Sequence, residues 1–224
     1  MKYRFIVFCY LLAGNILTGN AQNLFQKELA VGVAGGMTYS TVSFVPKVQQ
    51  NMLVGLQGGL TVRWRTEKYL GLQAELNVKQ QGWDEKFENT ETENFSGLYY
   101  RRKMDYIELP FLTHIYFGGE KVQFFVNLGP QIGWLLHDKK EENLNGVSPL
   151  SMDKQHERAI DKRFEWGLGG GPGLELRTGI GSFLLEGRFY YALGDFYNTR
   201  KGDDFSKASS QVFSVKVAYL MPLF

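Results

Sequence analysis

The feature of the sequence that most constrains its fold is an alternation of apolar and polar residues, which recurs in eight separate segments. Because successive side chains of a β-strand point to opposite faces, this pattern predicts strands with one apolar face and one face of small or polar residues. A helix would repeat its apolar positions every three or four residues instead. The predicted strands are approximately Ala30–Tyr39, Met52–Arg65, Tyr69–Trp83, Arg102–Phe117, Val122–His137, Phe164–Arg177, Ser182–Gly194 and Gln211–Leu220.

The connections between these segments alternate in length. Connections of roughly 12, 18, 26 and 16 residues alternate with connections of roughly 3 or 4, a rhythm typical of outer-membrane barrels with long extracellular loops and short periplasmic turns. The short connections Thr66–Lys68, Gly118–Lys121 and Thr178–Gly181 are polar or contain glycine, as hairpin turns require. The pattern predicts an all-β fold: an eight-stranded antiparallel up-and-down transmembrane β-barrel with both termini in the periplasm.

The first residues have the composition of a secretory signal peptide. Lys2 and Arg4 supply positive charge, Phe5–Ala13 forms an apolar core, and Gly19–Ala21 offers a small-x-small cleavage site. This arrangement predicts export across the inner membrane and location in the outer membrane. The predicted domains are a signal peptide over residues 1–21 and an outer-membrane β-barrel domain over residues 22–224.

Several kinds of chemistry find no support in the sequence. The glycine-rich segment Arg163–Gly179 is not expected to bind phosphate, because Pro172 stands where a phosphate-binding loop would open a helix. The only cysteine, Cys9, lies in the predicted signal peptide, so thiol and disulfide chemistry are not expected. A formal net charge of +2 without a basic stripe gives no reason to expect a nucleic-acid partner.

Strand alternation also fits a soluble barrel with its apolar face turned inward, and two features favour the membrane. Glycines such as Gly129 and Gly133 lie on the polar face, where they suit a narrow interior better than a solvated surface. The tryptophans lie near predicted strand ends, where the membrane–water interface favours them. The predicted membrane girdle consists of Trp64, Trp83, Trp134 and Trp166.

Charged residues on the predicted inner face are balanced in number and sign. An eight-stranded barrel has an interior just wide enough for side chains to fill, and unpaired charges there are costly. We therefore expect a structural network of ion pairs that plugs the lumen. Its predicted members are Arg63, Lys79, Arg177, Arg188 and Lys216 with Glu75, Glu108, Glu165, Glu175 and Glu186.

Four segments of the predicted strands are more specific than the alternation itself: LQAELNVKQQGW (Leu72–Trp83), MDYIELPFLTHIYF (Met104–Phe117), NLGPQIGWLL (Asn127–Leu136) and GLGGGPGLEL (Gly167–Leu176). They resemble the PorT-like outer-membrane β-barrel family of Bacteroidota, and the resemblance spans nearly the whole mature chain. It implies an outer-membrane barrel and, because the founding member is associated with export of proteins to the cell surface, an accessory role in export.

The sequence predicts a non-enzymatic protein that is structural or binds a partner through its extracellular loops, because long loops on a rigid barrel are where binding residues concentrate. The expected partners are membrane lipid, lipopolysaccharide and a protein at the loops Asp84–Tyr100 and Asp138–Lys162. The alternatives are a small-solute porin or channel and a lipid-modifying enzyme, for which His114 with Glu108 is the strongest pair. No catalytic residue, cofactor or metal site is predicted.

Overall fold

The computed structural model describes residues 26–85, 98–143, 156, 158–198 and 205–223. The predicted signal peptide at residues 1–21 lies outside this part of the chain. The described residues form eight long strands and a two-residue strand, β2. The bounds are Glu28–Val45 (β1), Gln50–Asn51 (β2), Leu53–Glu67 (β3), Leu70–Glu85 (β4), Tyr99–Gly118 (β5), Val122–Asn143 (β6), Phe164–Thr178 (β7), Gly181–Ala192 (β8) and Lys207–Pro222 (β9).

The long strands form a closed ring in which each pairs antiparallel with the next along the chain. The ring closes where β1 pairs with β9, from Ala30↔Pro222 to Val45↔Lys207. β2 adds only two residue pairs at the end of β4. The predicted eight-stranded, antiparallel up-and-down barrel is therefore confirmed. No helix among the described residues has the length and hydropathy that a membrane crossing needs.

The two faces of the barrel have opposite chemistry. Apolar side chains such as Leu60, Leu128 and Val217 point outward and are 57–60% exposed. The inward face is polar, and residues such as Arg63 and His114 are at most 1% exposed. A soluble barrel would have the reverse arrangement, so the distribution suits a surface surrounded by lipid.

The two ends of the barrel also differ. At one end, here called the short-turn end, three tight turns join β3 to β4, β5 to β6 and β7 to β8. Gly118 and Gly181 have φ angles of 135° and 142° there, which residues other than glycine rarely adopt. The longer connections β4–β5, β6–β7 and β8–β9 all lie at the opposite, long-loop end.

At the long-loop end, β5 and β6 extend beyond their predicted limits, because cross-strand ion pairs stabilise their charged residues in an extended conformation. Arg101 Nη2 lies 2.7 Å from Asp84 Oδ2, and Lys103 Nζ lies 3.3 Å from Glu141 Oε2. A register shift follows Asp105, which pairs with His137 while Tyr106 pairs with Leu135. The extra residue, Leu136, forms a bulge that reverses the alternation of β6 and turns Asp138 inward.

Candidate functional site

The centre of the lumen is occupied by an ion-pair network around Glu75. Its carboxylate accepts hydrogen bonds from Arg188 Nη2 at 2.7 Å and from Lys216 Nζ at 2.6 Å. Gln73 and Asn77 donate to the same carboxylate at 2.5 and 2.9 Å. Glu186 completes the group, with Oε1 2.7 Å from Arg188 Nη2 and Oε2 3.2 Å from Lys216 Nζ. Four predicted network residues are thus brought together: Glu75, Glu186, Arg188 and Lys216.

A second group lies toward the short-turn end. Glu175 Oε2 lies 2.7 Å from both Arg63 Nη1 and Arg65 Nη2. Arg177 does not pair with Glu175 and instead forms an ion pair with Glu28 at the mouth of the barrel, where Glu28 Oε1 also lies 3.8 Å from Arg65 Nη1. Sequence reasoning missed Arg65 and Glu28, although Arg65 has the same strand parity as Arg63 and could have been found from it.

The remaining predicted charges lie nearer the long-loop end. Lys79 forms an ion pair with Glu108. Glu165 accepts hydrogen bonds from Ser210 Oγ at 2.6 Å and Gln81 Nε2 at 3.1 Å, so a hydroxyl and an amide are its hydrogen-bond donors rather than a cation. All the predicted network residues except Arg177 are at most 5% exposed.

Glycines on β7 allow these large side chains to fit. Gly169 and Gly173 point into the lumen, where Gln131 and Phe125 occupy the space above them. A Cβ atom added at Gly173 would overlap the ring of Phe125, and one added at Gly169 would overlap the amide of Gln131. The middle of the lumen is therefore filled with side chains, and the glycines of β7 leave the space that these side chains need.

The long-loop end is closed by a cluster of buried aromatic and apolar residues, here called the outer cap. Phe44 lies with its ring centroid 5.2 Å from that of Trp83 and 5.1 Å from that of Phe205. Trp83 stacks on Phe196 at 5.9 Å. The members are Val42, Phe44, Val48, Trp83, Tyr100, Met104, Tyr106, Leu135, Phe196, Tyr197, Phe205 and Ala208.

Arg102 joins the cap to the loops. Its Nε donates to Asp138 Oδ1 at 2.7 Å, and its Nη2 donates to the second oxygen of the same carboxylate. Its Nη1 donates to the Arg158 carbonyl and to the Tyr197 hydroxyl, both at 2.7 Å. Burial in the cap raises the pKa of Tyr197 to about 12, which keeps this hydroxyl neutral. One guanidinium thus links β5, β6 and two loops.

A buried histidine adds a further contact between a loop and the barrel. His156 Nε2 lies 2.7 Å from Glu85 Oε2, and its ring stacks on Tyr100 with centroids 4.0 Å apart. The backbone carbonyl of His156 also accepts a hydrogen bond from Lys140 Nζ at 2.6 Å. These contacts place His156, a residue of the β6–β7 connection, against the rim of the barrel.

The predicted tryptophan girdle is wrong at one position. Trp64, Trp134 and Trp166 face outward and are 44–51% exposed, whereas Trp83 is fully buried in the outer cap. Trp83 follows Lys79 and Gln81 at intervals of two along β4, so strand alternation turns it inward with them. A girdle role for the other three stays a prediction.

The pair considered for catalysis, His114 with Glu108, is not brought together in the structure. His114 is fully buried, and its Nδ1 lies 2.8 Å from Asn127 Oδ1, whereas Glu108 pairs with Lys79. Within the part of the chain that the structure describes, no three His, Cys, Asp or Glu side chains are grouped so that they could hold a metal ion.

With this architecture established, the sequence matches the family model of the outer membrane protein beta-barrel domain over residues 20–198. The chain belongs to this family. The protein is accordingly located in the outer membrane, where barrels place their short turns in the periplasm and their long loops outside the cell. The outer cap is therefore extracellular. Comparison with curated protein sequences gives no match.

Solved outer-membrane barrels have similar folds at low sequence identity. OprG from Pseudomonas aeruginosa is 13% identical, with a TM-score of 0.47 over 87% of this chain and 95% of that one. Ail of Yersinia pestis, solved with the heparin analogue sucrose octasulfate, is 15% identical, with a TM-score of 0.43 over 87% of this chain and 99% of that one. Neisserial surface protein A is 11% identical, with a TM-score of 0.43 over the same shares.

Proposed function

We propose that this outer-membrane protein is a closed, non-enzymatic barrel that binds a protein partner through its extracellular side. The observation that carries the proposal is the anchoring of two extracellular connections to one buried guanidinium, that of Arg102. Arg158 and Tyr197 are held in place in this way, and a preformed surface loses less conformational entropy on binding. The packed lumen supports the same proposal, because side chains occupy the interior in which a solute would otherwise bind.

The resemblance to the PorT-like family of Bacteroidota supports a finer proposal, an accessory role in protein export. It rests on the segments Leu72–Trp83, Met104–Phe117, Asn127–Leu136 and Gly167–Leu176, which specify strands rather than a chemical site. A partner in this role would be another component of an export pathway or an exported protein, and it would contact the loops rather than the strands.

Site-specific photocrosslinking in intact cells tests partner binding. A photoreactive residue at Ala159, which is exposed beside the outer cap, should give a discrete protein adduct. The same residue at Ile180, which is 73% exposed on a periplasmic turn, is the matched control and should not give that adduct. Adding Arg102→Ala should abolish the Ala159 adduct while the barrel still inserts. An identical adduct at both positions, or none at Ala159, would contradict the proposal.

A further inference from the structure

A polar cavity of about 680 Å³ lies at the short-turn end of the barrel, which faces the periplasm. Ligand sites in proteins usually measure about 300–1,000 Å³. The cavity is lined by basic, acidic and aromatic side chains, among them Arg65, Arg177, Glu28, Tyr69 and Tyr116. It lies at the opposite end of the barrel from the outer cap, so a ligand here would be separate from a partner bound outside the cell.

The inward-facing charges beside this cavity do not cancel. Glu175 pairs with both Arg63 and Arg65, and Glu28 pairs with Arg177 and lies 3.8 Å from Arg65. Three guanidinium groups therefore share two carboxylates, and one positive charge is left over. An uncompensated charge away from water is costly, so an anion would be favoured at this position.

The remaining charges do not offset this excess. Among the described residues that line the cavity, the other charged side chains are Lys68 and Glu120, which have opposite signs. Glu165, whose hydrogen-bond donors are neutral, lies ten residues from Glu175 along β7, which is roughly 33 Å at the rise of a strand. The excess positive charge is thus local to the periplasmic mouth.

Two buried polar atoms at the cavity also lack partners. Arg65 Nε donates no hydrogen bond and Gln123 Oε1 accepts none within the described part of the chain, although these residues are only 1% and 8% exposed. Both residues line the cavity, and Arg65 Cζ lies 4.4 Å from the centroid of the Tyr116 ring. A ligand that suits the site therefore combines an anionic group, an N–H donor and an apolar part.

We propose that the periplasmic mouth binds the C-terminal residue of a peptide. The peptide carboxylate would bind Arg177 and Arg65, and its last amide N–H would donate to Gln123 Oε1. The C-terminal side chain would pack against Tyr69 and Tyr116. Guanidinium groups hold carboxylates in bidentate geometry, and capture of a terminal carboxylate is a recurring mode of peptide recognition. A phosphate monoester fits less well, because it carries a charge of about −1.5 to −2 against a single excess positive charge.

Nuclear magnetic resonance of the full-length protein in detergent micelles, with isotope-labelled arginine side chains, tests this site. The probe is the peptide N-acetyl-Ala-Ala-Phe with a free carboxylate, and the matched probe is the same peptide with a C-terminal amide. The free acid should shift the Nε–H signals of Arg65 and Arg177, whereas the signal of Arg188 in the central network should not move. The amide should leave all three signals in place. Equal shifts with the two peptides would overturn the proposal.

Variants at the mouth should change the affinity in opposite directions. Arg177→Gln removes the excess charge and should bind the free acid on the order of tenfold more weakly. Glu28→Gln removes a competing carboxylate and should bind it more tightly. Lys121→Gln removes the same charge at an exposed position of the β5–β6 turn that does not line the cavity, and it should bind like the wild-type protein. An inserted Arg177→Gln variant that binds as well as Lys121→Gln would overturn the proposal.

Two soluble anions distinguish a peptide site from a general anion site. Acetate should shift the Arg65 and Arg177 signals much less than the peptide at equal concentration, because it lacks the amide and the side chain. Inorganic phosphate should not displace the peptide at millimolar concentration. Acetate as effective as the peptide, or displacement by phosphate, would show that the mouth binds small anions only and would overturn the assignment. The comparison of the free acid with its amide uses the wild-type protein, so it decides the proposal even if a variant fails to insert.

Discussion

At the scale of single residues, the direction of each tryptophan side chain provides a direct test of which face meets lipid. In variants that retain one tryptophan, fluorescence of Trp64, Trp134 or Trp166 should be quenched by brominated lipid, because each of these side chains faces outward. Fluorescence of Trp83 alone should remain unquenched, because the outer cap buries it completely. Quenching of Trp83 comparable to that of Trp166 would show that the inward assignment of this residue is wrong.

Strand alternation predicts side-chain direction wherever the alternation is unbroken. It places Arg65 with Arg63 and Trp83 with Lys79, so both the missing cation and the misplaced girdle residue could be read from the sequence. Asp138 is different, because the bulge at Leu136 reverses the parity of β6 above it. Nothing in the local sequence marks that bulge, and the Arg102–Asp138 pair could therefore not be predicted.

At the scale of elements, the membrane-spanning part of each strand is predictable, and its extracellular end is not. The apolar outward residues of β5 and β6 reveal both strands, but the segment Asp138–Asn143 carries five charged side chains and is typical of a loop. It is extended because its neighbours on β5 supply complementary charges, as Lys103 does for Glu141. These contacts depend on the register between neighbouring strands, which the charge pattern of a single segment does not reveal.

The Arg102–Asp138 pair predicts how the outer cap is held closed. Arg102→Ala removes the buried guanidinium that donates to the Asp138 carboxylate, the Arg158 carbonyl and the Tyr197 hydroxyl, and loss of a hydrogen bond to a charged group typically costs about 1.5–3 kcal/mol. The cap should open and expose Phe196 and Tyr197. Chymotrypsin should then cleave this connection in the folded barrel, and cleavage in the wild-type protein should be much slower.

Lys103→Ala is the matched control, because Lys103 is the next residue on β5 and its ion pair with Glu141 is partly exposed to solvent. Such pairs contribute at most about 1 kcal/mol, so its cleavage rate should stay near that of the wild-type protein. If Arg102→Ala resisted chymotrypsin as well as Lys103→Ala does, aromatic packing alone would hold the cap.

At the scale of the whole molecule, two separate layers close the barrel. The first is the lumen network, in which the carboxylates of Glu75 and Glu175 each bind two basic side chains. The second is the outer cap, which lies above the network and consists mainly of aromatic side chains. The two layers have no side chain in common, so the removal of one need not open the other. This two-layer arrangement distinguishes a closed barrel from a channel that is merely covered by a loop.

The two-layer arrangement predicts that neither the wild-type protein nor a cap-deleted variant conducts ions. Replacing Phe196–Phe205 with a short Gly/Ser link removes three aromatic members of the cap, and closure entropy changes slowly with loop length, so the barrel should still insert. The lumen network remains in this variant, and an eight-stranded interior filled by paired side chains leaves no continuous water path. Planar-bilayer recordings of both proteins should therefore show no stable unitary currents. Currents in the cap-deleted variant alone would mean that the cap is the only barrier and that the lumen network is permeable. Currents in the wild-type protein would contradict the closed barrel and favour the alternative function, a channel.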